Sequence, residues 1–169
     1  METVEFAPIM TLEEFVVEIR GGLQGSLVLT SGGFDPLHPG HISCIADSKT
    51  HGDLLVVVVN GDWFLNHKKG RRFQSLPSRC AIISALRGVD YVVPFEIEED
   101  LTVNKALEAI KPDVFTKGGD RFDAATIPEW ETCVANGIEV VTGVGDSKTH
   151  SSSNILQDWY EHRLRLFTA

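Results

Sequence analysis

One stretch limits what this chain can fold into. The apolar run Leu27-Val-Leu29 leads into Thr30-Ser-Gly-Gly-Phe-Asp-Pro-Leu-His-Pro-Gly-His41, and Ile42, Cys44, Ile45 and Ala46 follow at helical spacing. The order is strand, glycine-rich turn, helix start. At such a junction Gly32 and Gly33 let the backbone pass close to a ligand, and the first helical turn offers unpaired N–H groups and the positive end of its dipole. Pro39 suits the first helical position, which sets His38 and His41 three residues apart around one turn, both facing the loop mouth. The expected ligand of this junction is a phosphate group.

The remaining sequence repeats the alternation. Residues 1–10 read as an irregular lead-in, and Thr11-Leu-Glu-Glu14 carries the capping-box pattern of a helix that Gly21-Gly22 ends. Leu54 to Val59 is apolar throughout, which predicts a central parallel strand, and Asn60 through Ser75 reads as a polar loop. A helix beginning around Ser78-Arg79, a strand at Tyr91-Val-Val93, a short helix through Ile110, a strand at Val114-Phe-Thr-Lys117, a helix over 128–135 and a strand at Glu139-Val-Val-Thr142 complete the series. A C-terminal helix follows over 154–169, and residues 1–26 form the N-terminal lead-in and helix of one domain spanning 1–169. This pattern predicts an α/β fold, a doubly wound, Rossmann-like open parallel sheet of five strands with helices on both faces. Ligands gather at the carboxyl ends of such strands. The pentapeptide Asp-Ser-Lys-Thr-His at 47–51 recurs at 146–150 with unrelated flanks, so it is no structural repeat.

Composition narrows the partners. A formal charge of -9 over 169 residues disfavours nucleic acid, because the basic residues concentrate locally at Lys68, Lys69, Arg71 and Arg72. Cys44, Cys80 and Cys133 have neither zinc-site spacing nor the density of a disulfide framework. No apolar run reaches the length of a membrane span, and the acidic start lacks the basic region of a signal peptide. The expected setting is cytoplasmic, with no membrane partner.

The His-Pro-Gly-His run after a strand and a Gly-Gly-Phe-Asp turn resembles the His-x-Gly-His signature of the nucleotidyltransferase superfamily, whose members join a nucleoside triphosphate to a phosphorylated small molecule and release pyrophosphate. The resemblance covers roughly residues 27–156. It implies catalytic roles for His38, His41, Lys69 and Arg79. Lys69 precedes Gly70 as in the Lys-Gly of the sugar-nucleotide branch, with Lys68 in reserve, and Arg79 matches an arginine that reaches the phosphates. Nucleotide contacts are implied for Gly32, Gly33, Phe34, Asp35, Gly40, Lys117, Gly118, Gly119, Asp120, Ser151, Ser152 and Ser153. Ser152 and Ser153 stand where related enzymes carry two threonines. A basic residue expected upstream of them in the glycerol-phosphate cytidylyltransferase branch is Asp146 here, with Lys148 a substitute.

Lys117-Gly-Gly-Asp120 resembles the heptose-phosphate adenylyltransferase branch most closely. The implied reaction transfers AMP from ATP to a sugar phosphate of the heptose 1-phosphate type, with Mg2+ as cofactor and no protein metal site. Two alternatives stay open: a CTP-dependent cytidylyltransferase acting on glycerol 3-phosphate or another polyol phosphate, and a nucleotide-binding subunit without catalysis. A homodimer is expected because related enzymes form one.

Overall fold

The computed structural model describes residues 5–119, 121–146 and 151–168. Five strands, β1 (Leu27–Gly32), β2 (Leu54–Asn60), β3 (Tyr91–Phe95), β4 (Val114–Gly118) and β5 (Glu139–Val144), form one parallel sheet in the order β3-β2-β1-β4-β5. β1 lies in the middle. The chain runs outward through β2 and β3 on one side, then crosses to β4 and β5 on the other. The crevice between the carboxyl ends of β1 and β4 is therefore the topological switch point, where doubly wound sheets bind ligands.

Alternation along each strand divides the core into two layers. Leu27, Leu29, Val56, Val58 and Phe115 pack on one face with Phe15, with Ala106, Leu107 and Ile110 of α5 (Asn104–Ile110), and with Cys133 of α6 (Trp130–Ala135). Val28, Val57 and Val59 pack on the opposite face with Ile45 of α2 (Pro39–Lys49) and with Cys80 and Ile83 of α4 (Leu76–Ser84). β2 is buried on both faces, and each fully buried valine contributes roughly 1.5–3 kcal/mol of transfer free energy.

Thr11 forms the expected capping box with Glu14, opening α1 (Leu12–Glu14), which continues as a π-helical stretch, Phe15–Ile19, and a 3-10 turn, Arg20–Gly22. The lead-in is more ordered than its sequence suggests. Met10 N donates to the Val92 carbonyl and Val92 N to that of Pro8, so the segment lies along the edge of β3.

A larger departure falls between Asn60 and Ser75, where the expected polar loop contains α3 (Asp62–Lys69). Its signals are tertiary or weak. Glu96 caps it from another loop by accepting from Trp63 N, Leu65 alone is fully buried, and Gly70 ends it at φ 80°. The last strands also run further than their apolar cores, through Gly118 in β4 and Val144 in β5. The C-terminal helix α7 (Ser152–Thr168) begins two residues earlier than expected.

Candidate active site

A cavity of about 600 Å³ opens at the switch point. Its wall begins with the β1 to α2 turn. His38 is the N-cap of α2, Pro39 takes the first turn, and no side chain caps the helix start. The positive end of the dipole therefore faces the cavity uncapped. The imidazoles of His38 and His41 stack with centroids 3.7 Å apart and planes 22° from parallel. The Phe34 ring meets His41 edge-on at 5.2 Å. Gly40 makes the histidine pair possible, since a Cβ there would lie 3.1 Å from His38 Cε1. Burial, then the neighbouring His38 and Lys69, push the His41 pKa down to about 3. Its Nδ1 is buried with no hydrogen-bond partner among the described residues. A neutral imidazole with an unmet polar atom suits a site that a phosphate ester completes.

The two turn glycines also serve the packing of their own loop. A Cβ on Gly32 would sit 2.9 Å from the Phe34 ring, and one on Gly33 would sit 2.7 Å from Leu65. Both line the cavity, and they also admit the loop's own packing partners.

Asp35 does not reach the cavity. It is 1% exposed, and its carboxylate accepts from Phe73 N and Gln74 N, both at 2.7 Å. The expected nucleotide contact is replaced by a clamp that fixes the segment before α4. Arg79 is likewise corrected. Ser75 caps α4, so Arg79 lies beyond its first helical positions, with its side chain wholly buried. Its Nε donates to the Gln74 carbonyl, Nη1 to the Gly33 and Asn60 carbonyls, and Nη2 to Asp62 Oδ1 at 2.8 Å. Three of these four bonds tie the ends of β1 and β2 to the loop before α4, and the guanidinium does not line the cavity.

Lys69 does line it, with Nζ donating to the Asp35 carbonyl at 3.3 Å and burial holding its pKa below the usual lysine range. Lys68 lines it as well, its ammonium 5.2 Å from the Phe64 ring centroid. Across the crevice come Lys117, Gly118 and Gly119 from β4, and Ser151, Ser152 and Ser153 from the start of α7. Ser152 Oγ donates to the Pro36 carbonyl, tying α7 to the histidine loop. Asp120 and Lys148 lie outside the described residues.

Several lining residues escape a reading of the sequence. Ser31, Phe64, Arg121 and Glu129 all face the cavity. Arg121 follows the Lys-Gly-Gly-Asp run and could have been included on adjacency. Glu129 gives no sequence signal, because only the fold carries the start of α6 beneath β4. Among the described residues no three His, Cys, Asp or Glu side chains converge as a metal site, and no helix is long and apolar enough to cross a membrane.

The chain has relatives among known proteins. The bifunctional protein HldE of Pectobacterium carotovorum subsp. carotovorum is 40% identical over 136 residues, which are 78% of this chain and 28% of that protein. HldE of Edwardsiella ictaluri is 36% identical over 88% of this chain and 31% of its own length. The chain thus spans less than a third of the length of these relatives. A lipopolysaccharide core biosynthesis protein from Thermoplasma volcanium superposes with a TM-score of 0.63 at 32% identity, covering 73% of this chain and 99% of that one. The pantoate-beta-alanine ligase of Francisella tularensis, at 16% identity and a TM-score of 0.61 over 86% of this chain and 68% of that one, shares the fold. The cytidylyltransferase-like family model matches residues 29–157, the whole span from β1 to the first turns of α7, and the chain belongs to that family of nucleotidyltransferases.

Proposed function

We propose that the protein transfers AMP from ATP to a sugar phosphate of the heptose 1-phosphate type, giving a nucleotide-activated sugar and pyrophosphate. The observation that carries this reading is the stacked His38 and His41 pair at the uncapped start of α2, facing a cavity that Lys69 also lines. A phosphate oxygen of the acceptor attacks the α-phosphorus in line. One new P–O bond forms, the bond to the β-phosphate bridge breaks, and its electron pair leaves with pyrophosphate. No protein nucleophile takes part. The protein's task is to hold two anions together and meet the charge that develops on the leaving group. His38, His41 and the α2 dipole face the triphosphate, Lys69 neutralises its tail, and Gly118, Gly119 and Ser153 border the nucleotide. Arg79 and Asp35 act indirectly, by fixing the loops that carry these groups.

Mg2+ would arrive with the triphosphate that His38, His41 and Lys69 face. When bound, the ion draws negative charge from the departing phosphates. A sugar acceptor is supported by the Thermoplasma relative, whose name places it in lipopolysaccharide core biosynthesis, the building of a sugar-rich structure. The resemblance of the Lys117-Gly-Gly-Asp120 run to the heptose-phosphate adenylyltransferase branch supports ATP. The test is a screen of nucleoside triphosphates against sugar and polyol phosphates with pyrophosphate detection. Binding of nucleotide without pyrophosphate release in any combination would leave a non-catalytic nucleotide-binding subunit.

A further inference from the structure

Two sides of the cavity carry positive charge. Lys69 and the positive end of the α2 dipole form one, beside His38 and His41. The other begins at Lys117, two residues beyond Phe115 on β4. Its side chain therefore leaves the sheet on the face of α5 and α6, opposite α2. Its ammonium lies 4.7 Å from the Phe115 ring centroid and 3.3 Å from both Ser31 Oγ and Glu129 Oε2. Lys117 is 9% exposed and Glu129 3%. Arg121 and Lys68 line the same cavity, near enough that like-charge repulsion adds to burial in lowering the pKa values of Lys68 and Lys117. Two further cations thus line the cavity beside the buried Lys117–Glu129 pair, an arrangement that an anionic ligand would relieve.

The reaction itself sets a geometric requirement. In-line displacement puts the attacking oxygen and the leaving pyrophosphate on opposite sides of the α-phosphorus. Charge groups on opposite faces of the sheet, meeting at one crevice, provide two such sides. We propose that the acceptor's phosphate binds between Lys68, Lys117 and Arg121, with Glu129 as the positioning residue that holds the Lys117 ammonium at the cavity floor. This assignment rests on nucleotidyl transfer to a phosphorylated acceptor being the reaction. It divides the two adjacent lysines of α3 between substrates, Lys69 to the triphosphate and Lys68 to the acceptor.

The experiment compares the parent protein with Arg121→Gln, Glu129→Gln and the double variant Lys117→Met/Glu129→Gln, which removes both buried charges together and avoids leaving one unpaired. Steady-state kinetics with a sugar 1-phosphate at saturating ATP give the acceptor KM. Calorimetric titration with a non-hydrolysable ATP analogue gives nucleotide affinity separately. The expected result is an acceptor KM raised about tenfold or more in each variant, a larger effect than any fall in kcat, with nucleotide affinity within about twofold of the parent. An acceptor KM unchanged in Arg121→Gln and in the double variant overturns the assignment, as does a nucleotide affinity that falls in step with acceptor use. A parent protein that releases no pyrophosphate with any sugar phosphate removes the underlying reaction instead, so the two failures are distinct.

Discussion

Arg79 and Asp62 form an ion pair of 2.8 Å in which the guanidinium is wholly buried and the carboxylate partly exposed. The same guanidinium ties the Gly33, Asn60 and Gln74 carbonyls, so one side chain joins the ends of β1 and β2 to the start of α4. Arg79→Met should therefore cost about 3 kcal/mol of stability, the low end for breaking a buried charge pair because Asp62 retains some solvent. Urea denaturation checks this. Parental stability combined with a raised nucleotide KM would instead make Arg79 a phosphate contact.

The histidine pair predicts a catalytic loss without unfolding. Replacing either His38 or His41 by Ala should lower kcat by about 10²-fold or more, the scale for losing a preorganised donor to the transition state, while circular dichroism stays native. Near-parental turnover in either variant would contradict the role given to the pair.

His41 also gives stability a pH dependence whose sign is fixed. Burial, then the neighbouring His38 and Lys69, depress its pKa from the ordinary 6.5 to about 3, so between these values the unfolded chain binds a proton that the folded chain refuses. Stability then rises with pH across that window and is lost as pH falls from about 6.5 toward 3, by at most about 1.4 kcal/mol per pH unit from this group. Urea midpoints of the parent and of His41→Gln should converge as the pH is lowered through the window. Parallel curves would show that His41 titrates normally.

Lys69 and magnesium separate binding from folding. Lys69→Ala should weaken nucleotide use, with kcat falling too if the contact tightens in the transition state. Chelation of Mg2+ should stop turnover and leave the circular-dichroism spectrum intact, because no three metal-ligating side chains converge among the described residues. Unfolding on chelation would point to a structural metal.

The sequence made the sheet legible because β1 and β2 carry apolar runs bounded by glycine or polar residues, and because Pro39 and the Thr11 box mark helix starts by local chemistry. The placement of His38 and His41 on the cavity followed from the same local signals, and that of Lys69 from the family resemblance. What failed to show was tertiary in origin. α3 depends on a cap from Glu96 and on the burial of Leu65, neither of which leaves a periodic pattern. Arg79 matched a phosphate-binding position by motif, yet the carbonyls that engage it come from three separate segments. Glu129 stands 12 residues beyond Lys117 in the chain and meets it only because α6 starts beneath the end of β4.

The most direct test of the proposed activity is a competition between ATP and CTP at equal concentration, with a sugar 1-phosphate as acceptor and the product identified by mass. Pyrophosphate release and a dominant AMP-linked sugar are expected, with the bridging oxygen supplied by the acceptor's phosphate. A dominant CMP-linked product would move the protein to the cytidylyltransferase branch while keeping the histidine mechanism. Nucleotide bound but recovered intact, with no linked product from either triphosphate, would contradict the central claim.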